Sequence, residues 1–200
     1  MAGLMASGDS PAAMLRAEDL ALVRGGRLLF EKLSFCLAPG EALLVTGQNG
    51  AGKSSLLRLV AGLLAPDAGT LCNPFATALL TNEPALKPDR KVRSELAFWA
   101  GLDGALDQAV ADACETMAVA ALLDYRCGQL SSGQRQRVAI ARTIASGAAL
   151  WLLDEPTSAL DAASEMRLLE AVGRHRAGGG LVLAATHLPL PFTGARAIKL

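Results

Sequence analysis

Residues Leu130–Asp161 read LSSGQRQRVAIARTIASGAALWLLDEPTSALD, and with GQNGAGKS at Gly47–Ser54 upstream this stretch decides the fold. The upstream segment satisfies G-x-x-x-x-G-K-[ST], with Gly47, Gly52, Lys53 and Ser54 at the fixed places. Such a loop needs a strand before it and a helix after it. EALLVTG supplies a short apolar strand, and SSLLRLVAGLLAP carries Leu56, Leu57, Val60 and Leu63 at helical spacing until Pro66 stops it. Downstream, the apolar run ALWLL ends in Asp154 and Glu155. Both carboxylates therefore emerge at the C-terminal edge of a buried strand, where open α/β sheets place ligands.

The residue types explain the chemistry expected at each place. In the segment Gly47, Gln48, Asn49, Gly50, Ala51, Gly52, Lys53, Ser54, Ser55, the glycines let the backbone wrap a triphosphate closely. Several N–H groups and the positive end of the next helix then face the anion. Lys53 suits the β and γ phosphates of ATP, and the Ser54 hydroxyl suits Mg²⁺, a hard ion that prefers oxygen ligands. LSSGQ opens the helix QRQRVAIARTIAS with two serines and a glycine, which creates a second anion-binding helix end. One chain thus carries two phosphate sites.

The ordered set of phosphate loop, LSSGQ, LLDEP and SALD resembles the ATP-binding cassette (ABC) ATPases. The resemblance covers nearly everything from Met14 to the C-terminus. It implies an α/β fold of the P-loop NTPase, ABC type, with a mixed sheet core, antiparallel N-terminal strands and a helical subdomain. By the same resemblance, Asp154 holds Mg²⁺ through water and Glu155 orients the attacking water. His187, in LAATHLP, contacts the γ phosphate. Ser131, Gly133 and Gln134 complete the ATP site of a partner copy, which implies an ATP-sandwiched homodimer. Asp161 matches the turn through which paired sites communicate, and capping of the following helix is the other reading of an Asp there.

Three positions depart from the family pattern. Ser132 replaces a glycine of the commoner LSGGQ. Glu83, in TNEP, stands where the family carries a glutamine, and its oxygen remains a candidate Mg²⁺ ligand. Arg24 occupies the place of the aromatic that stacks on adenine, and a guanidinium plane can also stack on a base. Within the family, LLFEKLSFCLAPGE, NEPALKP, RVAIAR and THLPL resemble the ATP-binding subunits of cytochrome c maturation transporters. That implies integral membrane transporter subunits of the cytochrome c maturation system as partners, haem export or haem-chaperone release as the work, and a peripheral position on the cytoplasmic face of the bacterial inner membrane.

Composition bounds these readings. Two hundred residues fit one domain. Nineteen basic and nineteen acidic residues balance, and 52% of the chain is hydrophobic, which argues against a disordered chain and against nucleic acid as a partner. Cys36, Cys72, Cys114 and Cys127 lack the C-x-x-C pairs of a zinc site and read as reduced packing residues. No apolar run reaches the eighteen or so residues of a membrane span. Residues 1–13 read as a flexible leader and 14–200 as one domain.

Along that domain, LRAEDLALV and RLLFEKLSFCLA flank Gly25-Gly26, the signature of a tight hairpin. GTLCNPFATALLTNEP reads as short strands separated by Asn73-Pro74. From about 86 to 146 the pattern turns helical: SELAFWAG, then ALDQAVADACETMAVAALL with Leu106, Val110, Ala113 and Met117 on one face, then GQRQRVAIARTIAS. The strand LWLLD, the helix AASEMRLLEAVGRHR, the break Gly178-Gly179-Gly180, the strand LVLAAT and a short end in AIKL complete the chain. Phe98 and Trp99 lie in the region by which such cassettes grip membrane subunits; one is expected in the helix core, and the other, if exposed, suits an anchor in such an interface. Lys87, Arg90, Lys91 and Arg93 form either a solvated face or a membrane-proximal contact.

Overall fold

The computed structural model describes residues 13–187 and 190–200. The expected leader lies, Ala13 apart, outside the described residues. Strands β1 (Leu15–Arg24) and β2 (Arg27–Leu37) form the hairpin expected around Gly25-Gly26, whose positive φ values of 57° and 76° suit the two-residue turn. With β4 (Ala68–Cys72) they make an antiparallel sheet in the order β2-β1-β4. The antiparallel strands thus form a sheet of their own beside the main one.

The main sheet is parallel, in the order β5-β6-β7-β3-β8, from β3 (Ala42–Thr46), β5 (Thr77–Leu80), β6 (Leu150–Asp154), β7 (Leu181–Ala185) and β8 (Arg196–Lys199). All residues of β6 and β7 are buried, which explains why both read as unbroken apolar runs. The two-residue period of a strand sorts them between two cores. Leu150, Leu152, Leu181 and Leu183 pack with Leu15, Leu20, Leu37 and Leu56. Trp151, Leu153, Val182 and Ala184 pack on the other face with Val138, Ile140, Leu168 and Val172. Each fully buried leucine contributes about 1.5–3 kcal/mol of transfer free energy.

Among the described residues the α-helices are α1 (Lys53–Val60), α2 (Val92–Asp103), α3 (Asp107–Thr116), α4 (Ser132–Ala145) and α5 (Ala162–Ala177). Two are shorter than their periodicity predicts. Helix α1 stops at Val60 rather than at Pro66, because Gly62 N–H bonds Leu59 O at 3.0 Å and Leu63 N–H bonds Arg58 O at 2.8 Å. This double closure is a Schellman cap, and it leaves Leu63 65% exposed. Helix α3 ends at Thr116, and Ala118 turns to φ 51°; Leu106, at the N-cap position, is exposed, whereas Ala113 and Met117 are buried. Among the described residues no helix is long and apolar enough to cross a membrane.

The topology brings four chain turns to one edge. The C-terminal ends of β3, β5, β6 and β7 lead respectively into the glycine loop, Asn82-Glu83, Asp154-Glu155 and His187.

Candidate active site

At the end of β3 the chain cannot continue as a strand and enter α1 without a left-handed step. Gly52 takes it, with φ 104° at the N-cap of α1, and an added Cβ would stand 3.0 Å from the Cβ of Leu29. Only glycine meets both demands. Ala51 N–H closes the loop on Gln48 O at 3.1 Å. Lys53, 7% exposed, turns back over the loop and donates from Nζ to Gly47 O at 2.8 Å and Gln48 O at 3.2 Å. A buried ammonium held on two carbonyls is a ready site for an anion.

A cavity of about 530 Å³ opens over this loop, lined among others by Asn49, Gly50, Gly52, Lys53, Ser54, Ser55, Asp154, Glu155 and His187. Lys53 Nζ stands 4.0 Å from Glu155 Oε1. His187 donates from Nδ1 to Glu155 Oε2 at 2.8 Å, and its backbone N–H reaches the same oxygen at 3.3 Å. Glu155 itself sits at φ 47°, a strained backbone for a residue with a Cβ. Burial pushes the Asp154 carboxyl above its ordinary range, the hydrogen bond from Ser54 pulls it down, and neighbouring Glu155 pushes it up again.

The Ser54 hydroxyl and the Asp154 carboxylate test the fit of a metal. They pair an oxygen donor with a carboxylate whose charge burial disfavours, a combination that a hard divalent cation relieves. No group of three or more His, Cys, Asp or Glu suited to a metal occurs among the described residues. Phosphate oxygens and water would therefore supply the remaining ligands, as Mg²⁺ prefers.

The signature segment lies elsewhere. Ser131 caps α4, accepting at Oγ from Gln134 N–H at 3.2 Å, while Gln134 Oε1 accepts from Ser131 N–H at 2.9 Å. The two side chains expected at a partner's ATP thus form a capping box. A second, polar cavity is lined by Ser131, Ser132, Gly133, Gln134, Arg137 and Asp161. Gly133 lets the chain pass under the following turn, since a Cβ there would stand 2.7 Å from Ala159 O. Ser132 is the first residue of α4 and lines this cavity too. Asp161 caps α5, accepting from Ser164 N–H at 2.8 Å, and the bonds from Ser164 hold its carboxyl below the ordinary range. Both readings of Asp161 are therefore compatible, with capping observed.

Matches to known proteins agree with this geometry. The ABC transporter family model covers residues 30–158, more than half of the chain. The chain belongs to the ABC transporter family. Curated ABC relatives include the cytochrome c biogenesis ATP-binding export protein CcmA of Sphingopyxis alaskensis, 48% identical over 88% of this chain and 91% of the relative. The protein of the same name from Rhodospirillum rubrum is 46% identical over 94% of this chain and 86% of its own. A solved ATP binding subunit of an ABC transporter shares the fold at TM-score 0.82 and 23% identity, over 88% of this chain and 80% of that one. The protein is an ABC-type ATPase that hydrolyses ATP.

Arg24 and Glu83 are not among the residues that line the glycine-loop cavity of this ABC protein. Arg24 ends β1 exposed and is not among the cavity's lining residues, where the neighbouring strand contributes Leu29 instead. Glu83 lines an adjoining cleft with Asn82, Ser132, Arg135 and Gln136, and Asn82 borders the glycine-loop cavity as well. Asn82, Ser158, Leu29 and Arg137 line these ABC cavities without having been singled out by sequence. For Asn82 the signal was adjacency to Glu83, and for Arg137 its place one turn into the signature helix. Leu29 gave no signal, because its approach to the loop is tertiary.

Proposed function

We propose that this ABC ATPase is the motor subunit of an integral membrane assembly that works in the biogenesis of c-type cytochromes. The observation that carries the enzymatic part is the convergence of Lys53, Ser54, Asp154, Glu155 and His187 on one cavity. The names of relatives 43–48% identical over about nine tenths of the chain support the biological part.

The backbone of residues 47–55 embraces the triphosphate, and Lys53 leaves its two carbonyls to pair with the β and γ phosphates. Ser54, and Asp154 through water, would hold Mg²⁺, which would supply positive charge against the phosphate oxygens. Glu155 orients and polarises the attacking water, its carboxylate steadied by His187. His187, which lines the same cavity, contacts the γ phosphate and reports its presence. The separation of the glycine-loop cavity from the signature cavity supports an ATP-dependent homodimer in which Ser131, Gly133 and Gln134 complete the neighbour's site. The capping box leaves the Ser131 hydroxyl hydrogen free to donate to a phosphate oxygen.

The subunit works peripherally on the cytoplasmic face of the bacterial inner membrane, where ATP and its integral partners meet. Phe98 is 41% exposed, with Arg90 4.5 Å from its ring centroid, and offers an aromatic anchor to those partners. Trp99 is the better buried of the aromatic pair, donating from Nε1 to Glu95 at 3.0 Å and stacked under Arg142.

Isolation of the full chain from native membranes, with identification of bound integral proteins, tests this reading. Co-isolation of cytochrome c assembly subunits, and loss of c-type cytochromes in a Glu155→Gln strain, is expected. A chain found free of membranes, with c-type cytochromes accumulating normally in that strain, refutes it.

A further inference from the structure

The turn that carries Glu155 holds a backbone that its residues do not favour by themselves. Glu155 sits at φ 47° and Ala159 at φ 63°, left-handed values that persist in residues with a Cβ only where the surroundings impose them. Backbone bonds supply part of that restraint. Glu155 N–H donates to Ala185 O at 2.9 Å, Ser158 N–H to Glu155 O at 3.0 Å, and Leu160 N–H to Thr157 O at 3.1 Å. These bonds pass over the carbonyl of Pro156, a buried residue. A side chain takes it instead. Gln136 of α4, 2% exposed, donates from Nε2 to Pro156 O at 3.2 Å. A carbonyl oxygen only accepts, so the amide nitrogen of Gln136 is the atom that faces it.

Helix α4 meets the turn at a second place. Gly133 and Gln136, three positions apart, share a helix face, and a Cβ on Gly133 would stand 2.7 Å from Ala159 O. One face of α4 therefore touches the turn near both of its left-handed residues. The two contacts differ in kind. Close approach at Gly133 brings the helix near, whereas the bond from Gln136 is directional and weakens steeply when misaligned. The proline ring locks φ, so the Pro156 carbonyl reorients either about ψ alone or by carrying Glu155 with it. We propose that Gln136 is a positioning residue for the hydrolytic step: by fixing the Pro156 carbonyl it sets the direction from which Glu155 presents its carboxylate to the attacking water. Gln136 lines the adjoining cleft and is not among the residues that line the glycine-loop cavity, so nucleotide binding does not run through it.

The proposal rests on the reading of Glu155 as the group that polarises water, and the experiment keeps the two apart. In the full chain, kcat, the KM for MgATP and the melting temperature are measured for wild type, Gln136→Met, Gln136→Asn, Glu155→Gln and the double variant of Gln136→Met with Glu155→Gln. Methionine keeps the volume and loses the donor. Asparagine keeps the amide one methylene short and leaves room for a water at Pro156 O, which provides a folded variant should Gln136→Met not fold. Each is expected to lower kcat about tenfold or more with KM moved by less than about threefold, since a displacement on the order of 1 Å costs up to about a hundredfold. Because Gln136 acts through Glu155, its replacement should cost less than about twofold once Glu155 is glutamine. A residue that only holds the fold together lowers turnover by the same factor in both backgrounds. That outcome overturns the proposal, as does a folded Gln136 variant with the kcat of wild type, or one in which KM rises and kcat stands. Slow Glu155→Gln beside unimpaired Gln136 variants removes the positioning role and leaves the assignment of Glu155 standing. A Glu155→Gln chain as fast as wild type refutes both.

Discussion

Replacement of Glu155 by glutamine isolates charge from geometry. In the structure the carboxylate accepts from His187 Nδ1 at 2.8 Å and from the His187 backbone at 3.3 Å, and the amide oxygen of glutamine can accept both. The strained backbone at φ 47° is unaltered by an isosteric change. What disappears is the negative charge proposed to polarise water, together with an attraction to Lys53 Nζ at 4.0 Å. General base catalysis contributes about 10²–10⁴-fold, equivalent to about 2.7–5.4 kcal/mol of barrier. Turnover should therefore fall about a hundredfold or more. ATP affinity should hold or improve, since a charge facing the triphosphate is gone and Lys53 is released to pair with phosphate. Steady-state phosphate release, calorimetric titration with MgATP, and light scattering for an ATP-stabilised dimer read the three quantities. A variant hydrolysing ATP within about threefold of wild type would refute the base assignment, because so small a loss lies below any general-base contribution.

Gly133→Ala places a Cβ 2.7 Å from Ala159 O, so a melting measurement should show about 1–3 kcal/mol of destabilisation; an unchanged melting point contradicts the close approach. Ser131→Ala removes the cap of α4 and should cost about 0.5–2 kcal/mol in chemical denaturation, while also weakening ATP-dependent dimerisation. Asp154 titrates above its ordinary value of 3.8 when folded, so its contribution to the stability of the nucleotide-free chain is full below 3.8 and lost as pH rises through the folded value. Asp154→Asn should then melt no lower than wild type at neutral pH, yet lose the stabilisation by MgATP; a lower melting point across the whole pH range sinks that account. His175 has the opposite sign. Burial lowers its pKa from 6.5, with the ring stacked 3.9 Å from Trp151 and Nε2 on Ala149 O at 3.1 Å, so its stability is full above 6.5 and is lost as pH falls towards the folded value. Melting curves of wild type and His175→Phe between pH 8 and 5 should converge on the acid side, and parallel curves would exclude it.

Much of the fold was legible along the chain because its signals are local. A strand buried on both faces must be apolar at every position, so LWLLD and LVLAA announced β6 and β7, and Asp154 marked the sheet edge. The glycine loop announced itself through residues that only a left-handed, closely approached backbone requires, as Gly52 demonstrates. Helix ends were less legible. Periodicity continued through Leu63 while the Schellman closure at Gly62 had already ended α1, since apolar spacing records a possible face and not what is available to cover it.

By itself, then, the order of motifs determined the family, the phosphate cradle and the carboxylates, because each is encoded by neighbouring residues whose conformation is set locally. Tertiary structure alone decided which side chains share a cavity. It removed Arg24 from the lining of the nucleotide cavity and brought Leu29 there from the next strand. It also joined Asn82 to Ser158, seventy-six positions away in sequence, by a hydrogen bond of 3.0 Å. No spacing rule along a chain encodes a contact of that range, since it exists only once β5 and β6 lie side by side.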